Sequence, residues 1–435
     1  MNISSFSVLF LSSFQSFDCQ NRRLKEISRL NFFDIDLLRY TAQNKNGNVM
    51  VSPASIKSTL ALILAGARGN TETEIRNALR LSPKKEEYRE QLNLYLSLLK
   101  SNKTGTLLYN ANAVFVSNKL KLKQEYAQVD RKLYNAEIRY TDFRNPVAVA
   151  ELINSWTNVN TNGHIGHVVD AADISPTSDM VFTNAMFFQG AWQHGFDPHL
   201  THKDCFYCRG TCLDVSMMSV TSELNYTYVE DLRAHALELP YEGRRYSMVL
   251  LIPQDRDGLA SVIRDLPYMS LPQISKLMQP NEVSLYLPKF SVDYSENMVA
   301  ALKSMGINTL FSNEADLSGM YEGSSTTVNS IHHKVQMTVD ERGTVAAAST
   351  SAMVIPLIEN GVQLRVDRPF LFFIRDNDAS LVLFEGKIEE PTFDKEIVNP
   401  MVWYSPAASE VGWVFDPVSR KDSRFFIFVL SIIYM

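Results

Sequence analysis

The chain has 435 residues, 45% of them hydrophobic, and a formal net charge of −6. That length supports a large core and allows either one large domain or two to three average ones. The acidic balance excludes a nucleic-acid or heparin footprint spread over the whole surface. Paired lysines such as Lys84-Lys85 run straight into Glu86-Glu87, as a solvated helix face does.

Residues 1–27 read as a leader. The apolar stretch Phe6 to Phe14 resembles a weak secretory signal, short and with no basic residue before it. Two sequons, at Asn102 and Asn225, fit an extracellular, glycosylated chain, with a cytoplasmic one as the alternative. Leu30 to Tyr40 has the spacing of an amphipathic helix, which Asn46-Gly47-Asn48 ends. A short strand, Val49 to Val51, runs into Ser52-Pro53-Ala54-Ser55, a helix start with proline just inside it. The helix that follows, Ile56 to Ala67, is apolar almost all round and is expected to be buried.

Further helices are expected from Asn70, over Lys85 to Lys100, Gln124 to Leu133 and Val147 to Val159. Leu107 to Val116 reads as a strand, and Met180 to Gln189 as a central one. Leu213 to Met218, Leu237 to Leu239, Tyr246 to Ile252 and Val283 to Leu287 read as shorter strands. Ser295 to Met305 reads as a helix stopped by Gly306. Phe370 to Arg375 and Leu381 to Lys387 form an antiparallel-looking pair. The class is α+β. In C-F-Y-C-R-G-T-C, three thiols could be metal ligands with His199 or His202. The alternative is a hairpin turning at Arg209-Gly210, with Cys208 and Cys212 paired across it and Cys205 free.

No G-x-x-x-x-G-K-[ST], G-x-S-x-G or H-E-x-x-H is present, and no Ser, His and Asp spacing proposes a triad. The chain therefore does not read as an enzyme. The most unusual stretch is Asp340 to Pro369, uncharged from Thr344 to Ile358. Ala favours helix, but the branched side chains of Thr344, Val345, Thr350, Val354 and Ile355 favour strand. Taken with period two, Thr344, Ala346, Ala348, Thr350, Ala352 and Val354 form a small or apolar face. Such a face can enter a sheet without burying a charge.

Seven motifs in order resemble one family, the serpins: N-V-M-V-S-P-A-S-I at 48–56, G-A-R-G-N-T at 66–71, T-N-A-M-F-F-Q-G-A-W at 183–192, L-P-K-F at 287–290 with the following M-G-I, R-P-F-L-F-F-I-R-D at 368–376, and L-F-E-G-K-I-E-E-P at 383–391. The resemblance implies the serpin fold: three β-sheets, eight or nine α-helices and an exposed reactive-centre loop, over residues 28–393. It further implies a suicide inhibitor of serine proteases, with a non-inhibitory binding or chaperone protein of the same fold as the alternative. The protease cleaves the loop and is held as an acyl-enzyme while the freed hinge inserts as a strand, a use of strand addition and stored strain for which serpins are a standing example.

Residue by residue, Glu341, Gly343, Thr344, Ala346, Ala347, Ala348, Ser349 and Thr350 match the hinge of inhibitory members, with Val345 departing from a common Glu. Counting from Gly343 puts the reactive bond at Leu357-Ile358, with Ile358-Glu359 as the adjacent alternative. Leu357 suits a chymotrypsin-like or elastase-like target. Ser52, Ser55, Asn184 and His333 match the shutter beneath the sheet, and Trp192 the breach where the loop enters. The resemblance implies no catalytic residue, cofactor or metal, and a monomer whose partner is a serine protease; it leaves glycosaminoglycan binding open. Residues 394–435 extend beyond the family body. Their last eleven residues are too few for a membrane span of about 20, and Ala407-Ala408-Ser409 offers a small-residue site for a glycolipid-anchor signal.

Overall fold

The structure, a computed structural model, describes residues 30–43, 45–99, 106–129, 136–322, 326–344 and 361–393. All of these lie in the first of two compact units, Met1–Asn399; the second, Pro400–Met435, is outside the described residues. Helix α1 (residues 30–42) leads through β1 (Val49–Val51) to α2 (Pro53–Gly66), α3 (Gly69–Ala78) and α4 (Lys85–Leu99). Then follow β2 (Thr106–Ser117), β3 (Lys121–Leu122), α5 (Gln124–Val129), β4 (Ala136–Thr141), α6 (Pro146–Asn160) and β5 (Met180–Ala191). A run of strands comes next: β6 (His202–Cys208), β7 (Thr211–Val229), β8 (Ala234–Pro240) and β9 (Tyr246–Pro253). Short helices α7 (Leu259–Asp265) and α8 (Leu271–Leu277) precede β10 (Gln279–Pro288), β11 (Phe290–Asn297) and α9 (Val299–Ser304). The remainder is β12 (Tyr321–Glu322), β13 (Val328–Asp340), β14 (Gly343–Thr344), β15 (Val362–Arg365), β16 (Phe370–Asp376) and β17 (Leu381–Ile388).

Helix α2 is the pivot of the core. Ser52 caps it by accepting a hydrogen bond from the Ser55 amide, Pro53 occupies its first turn, and all but one of its residues are buried. Strand β5 is buried along its length until Ala191, as its unbroken apolar run predicts. Among the described residues hydrogen bonding links the strands into sheets of nine, six and two. The six-stranded sheet, ordered β11-β13-β14-β5-β2-β4, carries the site. In the nine-stranded arrangement β7 serves two neighbourhoods. Its first residues pair with β6, and its later ones with β10 and β8. Among the described residues no helix is long and apolar enough to cross a membrane.

Two expectations are corrected. Residues Ser295 to Asn297 are strand, not helix: β11 keeps pairing β13 to Asn297↔His332, so sheet register overrides the local helical pattern, and α9 keeps only Val299–Ser304. The disulfide joins Cys205 to Cys212, not Cys208 to Cys212. Arg209 and Gly210 both have positive φ, 50° and 74°, and make the two-residue turn suited to a tight hairpin. That turn sets Cys208 opposite Thr211 and Tyr207 opposite Cys212. Alternation then puts Cys205 and Cys212 on one face and Cys208 on the other. Among the described residues Cys208 is the free thiol, buried in the core.

Candidate functional site

The parallel strands β13 and β5 are paired from Val328↔Met180 up to Gln336↔Phe187. Above that level they part, and the two residues of β14 lie between them, antiparallel to both. Gly343 is level with Asp340 and Ala191, and Thr344 with Val339 and Gly190. The chain reverses through an Asx-type turn: Asp340 Oδ1 accepts from the amides of Arg342 (2.9 Å) and Gly343 (3.3 Å). Gly343, at φ +155°, has no room for a side chain, since a Cβ would meet the Gly190 carbonyl oxygen at 2.1 Å.

Trp192 and Tyr241 form one wall of this seat. Their rings stack at 4.6 Å between centroids. Trp192 Nε1 donates to the Asp340 carbonyl (3.0 Å), and the Trp192 amide to the Arg342 carbonyl (2.9 Å). The fully buried Thr344 hydroxyl is 2.7 Å from the Tyr241 hydroxyl. Burial pushes the Tyr241 phenol well up, so it stays a neutral hydrogen-bonding group. The carboxylate of Glu341 accepts from Lys289 (2.5 Å) and Thr201 (2.8 Å). Burial raises its pKa, but those bonds outweigh it and hold the group below its ordinary value.

Lower down, one row of side chains crosses the sheet. Asn112 of β2, Asn184 of β5 and His333 of β13 are register partners, and all three face the start of α2. His333 Nε2 accepts from the Ser52 amide at 2.9 Å, so its other nitrogen carries the proton and donates to Asn184 Oδ1. Asn184 Nδ2 donates to the Ser55 carbonyl (3.2 Å) and to the Thr59 hydroxyl (2.5 Å). The Ser55 hydroxyl donates toward Asn110 at 3.2 Å, and the Ser52 hydroxyl toward the Met186 sulfur at 2.7 Å. Burial depresses the His333 imidazole to about 3, which fixes it as neutral. Separating β13 from β5 breaks the His333–Asn184 bond directly.

The structure thus brings Ser52, Ser55, Asn184 and His333 into one network, and Trp192, Glu341, Gly343 and Thr344 into another. Hinge residues Ala346, Ala347, Ala348, Ser349 and Thr350, the bond Leu357-Ile358 and the sequon at Asn102 lie outside the described residues. Asn225 is on β7, exposed, with its amide nitrogen donating to Glu238 at 2.9 Å. Sequence reasoning missed Tyr241, Gly190, Asn112 and Lys289. Gly190 carried a signal as the small residue in Q-G-A-W, and Lys289 as the lysine of L-P-K-F.

The sequence model of the family described as serpin (serine protease inhibitor) matches residues 28–391. The leukocyte elastase inhibitor of Sus scrofa is 31% identical over 381 residues, which is 85% of this chain and 100% of that protein. Among solved structures, Serpin48 of the insect Tenebrio molitor aligns with a TM-score of 0.76 at 28% identity, covering 83% of this chain and 96% of that one. Human thyroxine-binding globulin, complexed with thyroxine, aligns with a TM-score of 0.77 at 27% identity, covering 85% and 100%. Its three sheets and its match to the family model agree: the chain belongs to the serpin family of serine protease inhibitors, not to a family of enzymes.

Proposed function

We propose that this serpin inhibits serine proteases as a suicide substrate, through loop cleavage, acyl-enzyme trapping and strand insertion. The observation that carries the reading is the seat of β14. The hinge begins as a strand between β13 and β5, with Thr344 buried, and in this reading a strand that lengthens from there turns Ala346, Ala348 and Thr350 inward by simple alternation. No charge needs burying as the strand lengthens. In this reading Ser52, Ser55, Asn184 and His333 hold the sheet closed, and Trp192 guards the upper opening.

The bait is Leu357-Ile358, counted from Gly343. Its apolar character favours chymotrypsin-like or elastase-like proteases, and the name of the leukocyte elastase inhibitor supports the second class. The protein acts outside the cell as a monomer, a location that the Cys205–Cys212 disulfide supports. Incubation with chymotrypsin or pancreatic elastase, followed by denaturing electrophoresis, tests the mechanism. A covalent complex is expected, with the loop cut after Leu357. Clean cleavage with both enzymes and no complex sinks it. It would favour the second reading, a non-inhibitory binding protein, for which the likeness to thyroxine-binding globulin is the supporting observation.

A further inference from the structure

Past the proposed bait the chain is tethered by β15, whose first residue, Val362, follows Ile358 by four positions. Val362 to Arg365 pair in parallel with Val283 to Tyr286 of β10, and among the described residues no strand lies on the other side. An end strand of four residues with one buried side chain, Leu364, is a weak hold.

The disulfide hairpin supplies the rest. Among the described residues, 211–215 of β7 pair with β6 alone, since the ladder to β10 begins at Met217. Such a two-stranded ribbon is marginal by itself, and the Cys205–Cys212 bond ties this one together. From β6 the Asp204 carboxylate faces the Arg365 guanidinium in an ion pair. Asp204 Oδ2 is sealed from solvent, so that guanidinium is its compensating charge, with the His202 imidazole 3.7 Å away. Oδ1 accepts from the Cys205 amide at 2.8 Å. Arg365 also lies 5.2 Å from the centre of the ring of Tyr286, its register partner. Further along, the Tyr207 amide donates to the Asp367 carbonyl at 2.7 Å. Arg256 is 3.5 Å from the centre of the Tyr207 ring and 3.5 Å from Asp367 Oδ2.

We propose that this hairpin is a clamp that positions the bait, acting through the Asp204–Arg365 ion pair. This rests on the inhibitory reading and adds to it a residue pair that works before the cut. A loop held at both ends, by β14 and by β15, has less freedom to lose when a protease docks. Once Leu357-Ile358 is cut, the chain from Ile358 onward stays with β15, while the severed hinge side is the part that inserts. The clamp therefore sets how fast the acyl-enzyme is reached and leaves its later partition alone. Asp204 and Arg365 are positioning residues, acting on the bait through β15.

Two readouts with chymotrypsin or pancreatic elastase separate these roles: the second-order rate of complex formation, and the fraction of cleaved chains trapped. Asp204→Asn keeps an acceptor for the Cys205 amide, and Arg365→Gln shortens a half-exposed side chain, so both should fold. Each should lower the rate about three- to fivefold, the scale of a partly exposed ion pair, with the trapped fraction unchanged. The double variant should fall no further than either single one, as for residues that act only on each other. Wild-type rates in both single variants overturn the proposal, and so does a double variant whose loss is the product of the two. A reduced trapped fraction also overturns it, because the clamp would then act after the cut. If wild type is cut and never trapped, the suicide mechanism fails, while the rate of loop cleavage in the same variants still reads the clamp.

Discussion

Replacing Thr344 by Arg tests the hinge where its packing is tightest. Thr344 is fully buried, level with Gly190 on one side and Val339 on the other, with its hydroxyl on Tyr241. Losing that bond costs about 1 kcal/mol. A guanidinium there would be an uncompensated buried charge, at about 3–5 kcal/mol. The hinge carboxylates are committed elsewhere: Asp340 to the Arg342 and Gly343 amides, Glu341 to Lys289 and Thr201. Because the seat is filled before cleavage, the substitution first expels β14 from it; on the proposed mechanism, insertion, which must bury that residue again, then competes with hydrolysis of the acyl-enzyme. A penalty near 3 kcal/mol shifts that competition by about a hundredfold. Chymotrypsin should therefore release cleaved Thr344→Arg protein where wild type gives a covalent complex on denaturing gels. Thr344→Val, which keeps the volume and loses the hydroxyl bond, should keep most of the complex. Complex from Thr344→Arg at the wild-type yield would refute the argument that the inward face must stay uncharged.

The other predictions concern the same sheet and the hairpin. His333 is held neutral when buried, so the unfolded chain takes up a proton that the native one refuses. Stability from this group is fully present above about pH 6.5 and is lost as pH falls toward 3. At pH 5 the loss is about 2 kcal/mol, and thermal unfolding between pH 7 and 5 should shift less in His333→Gln; an unchanged shift would dismiss the assignment. In Gly343→Val the new side chain meets the Gly190 carbonyl, so β14 should leave its seat. Trp192 emission should then move to longer wavelength, and the change should vanish in a Trp192→Phe background. Peptide mapping without reductant should recover Cys205 joined to Cys212, with Cys208 alkylated only after denaturation; early alkylation of Cys208 would contradict its burial.

Much of the scaffold was legible because it follows from local chemistry. The Ser-Pro cap and apolar girth of α2, and the unbroken apolar run of β5, leave few alternatives. Ser295 to Met305 misled because its helical spacing is real, yet eight residues of β13 were available to pair with the stretch from Phe290. The cysteine pairing was legible and was misread. Once Arg209-Gly210 is a two-residue turn, alternation alone separates Cys208 from Cys212. Tyr241 could not be found from sequence, because its partner Thr344 lies 103 positions away.

The seat of β14 bears on how fast the sheet could accept a strand. Starting a new strand is the slow part of such a process, since backbone entropy is spent before ladder bonds repay it. Here the first two residues are already laid in register between β13 and β5. On the proposed mechanism nothing has to be nucleated after cleavage; the ladder lengthens from a primer. The timing then rests on how quickly the pairs beneath it, from Gln336↔Phe187 down to His333↔Asn184, unzip ahead of the advancing end.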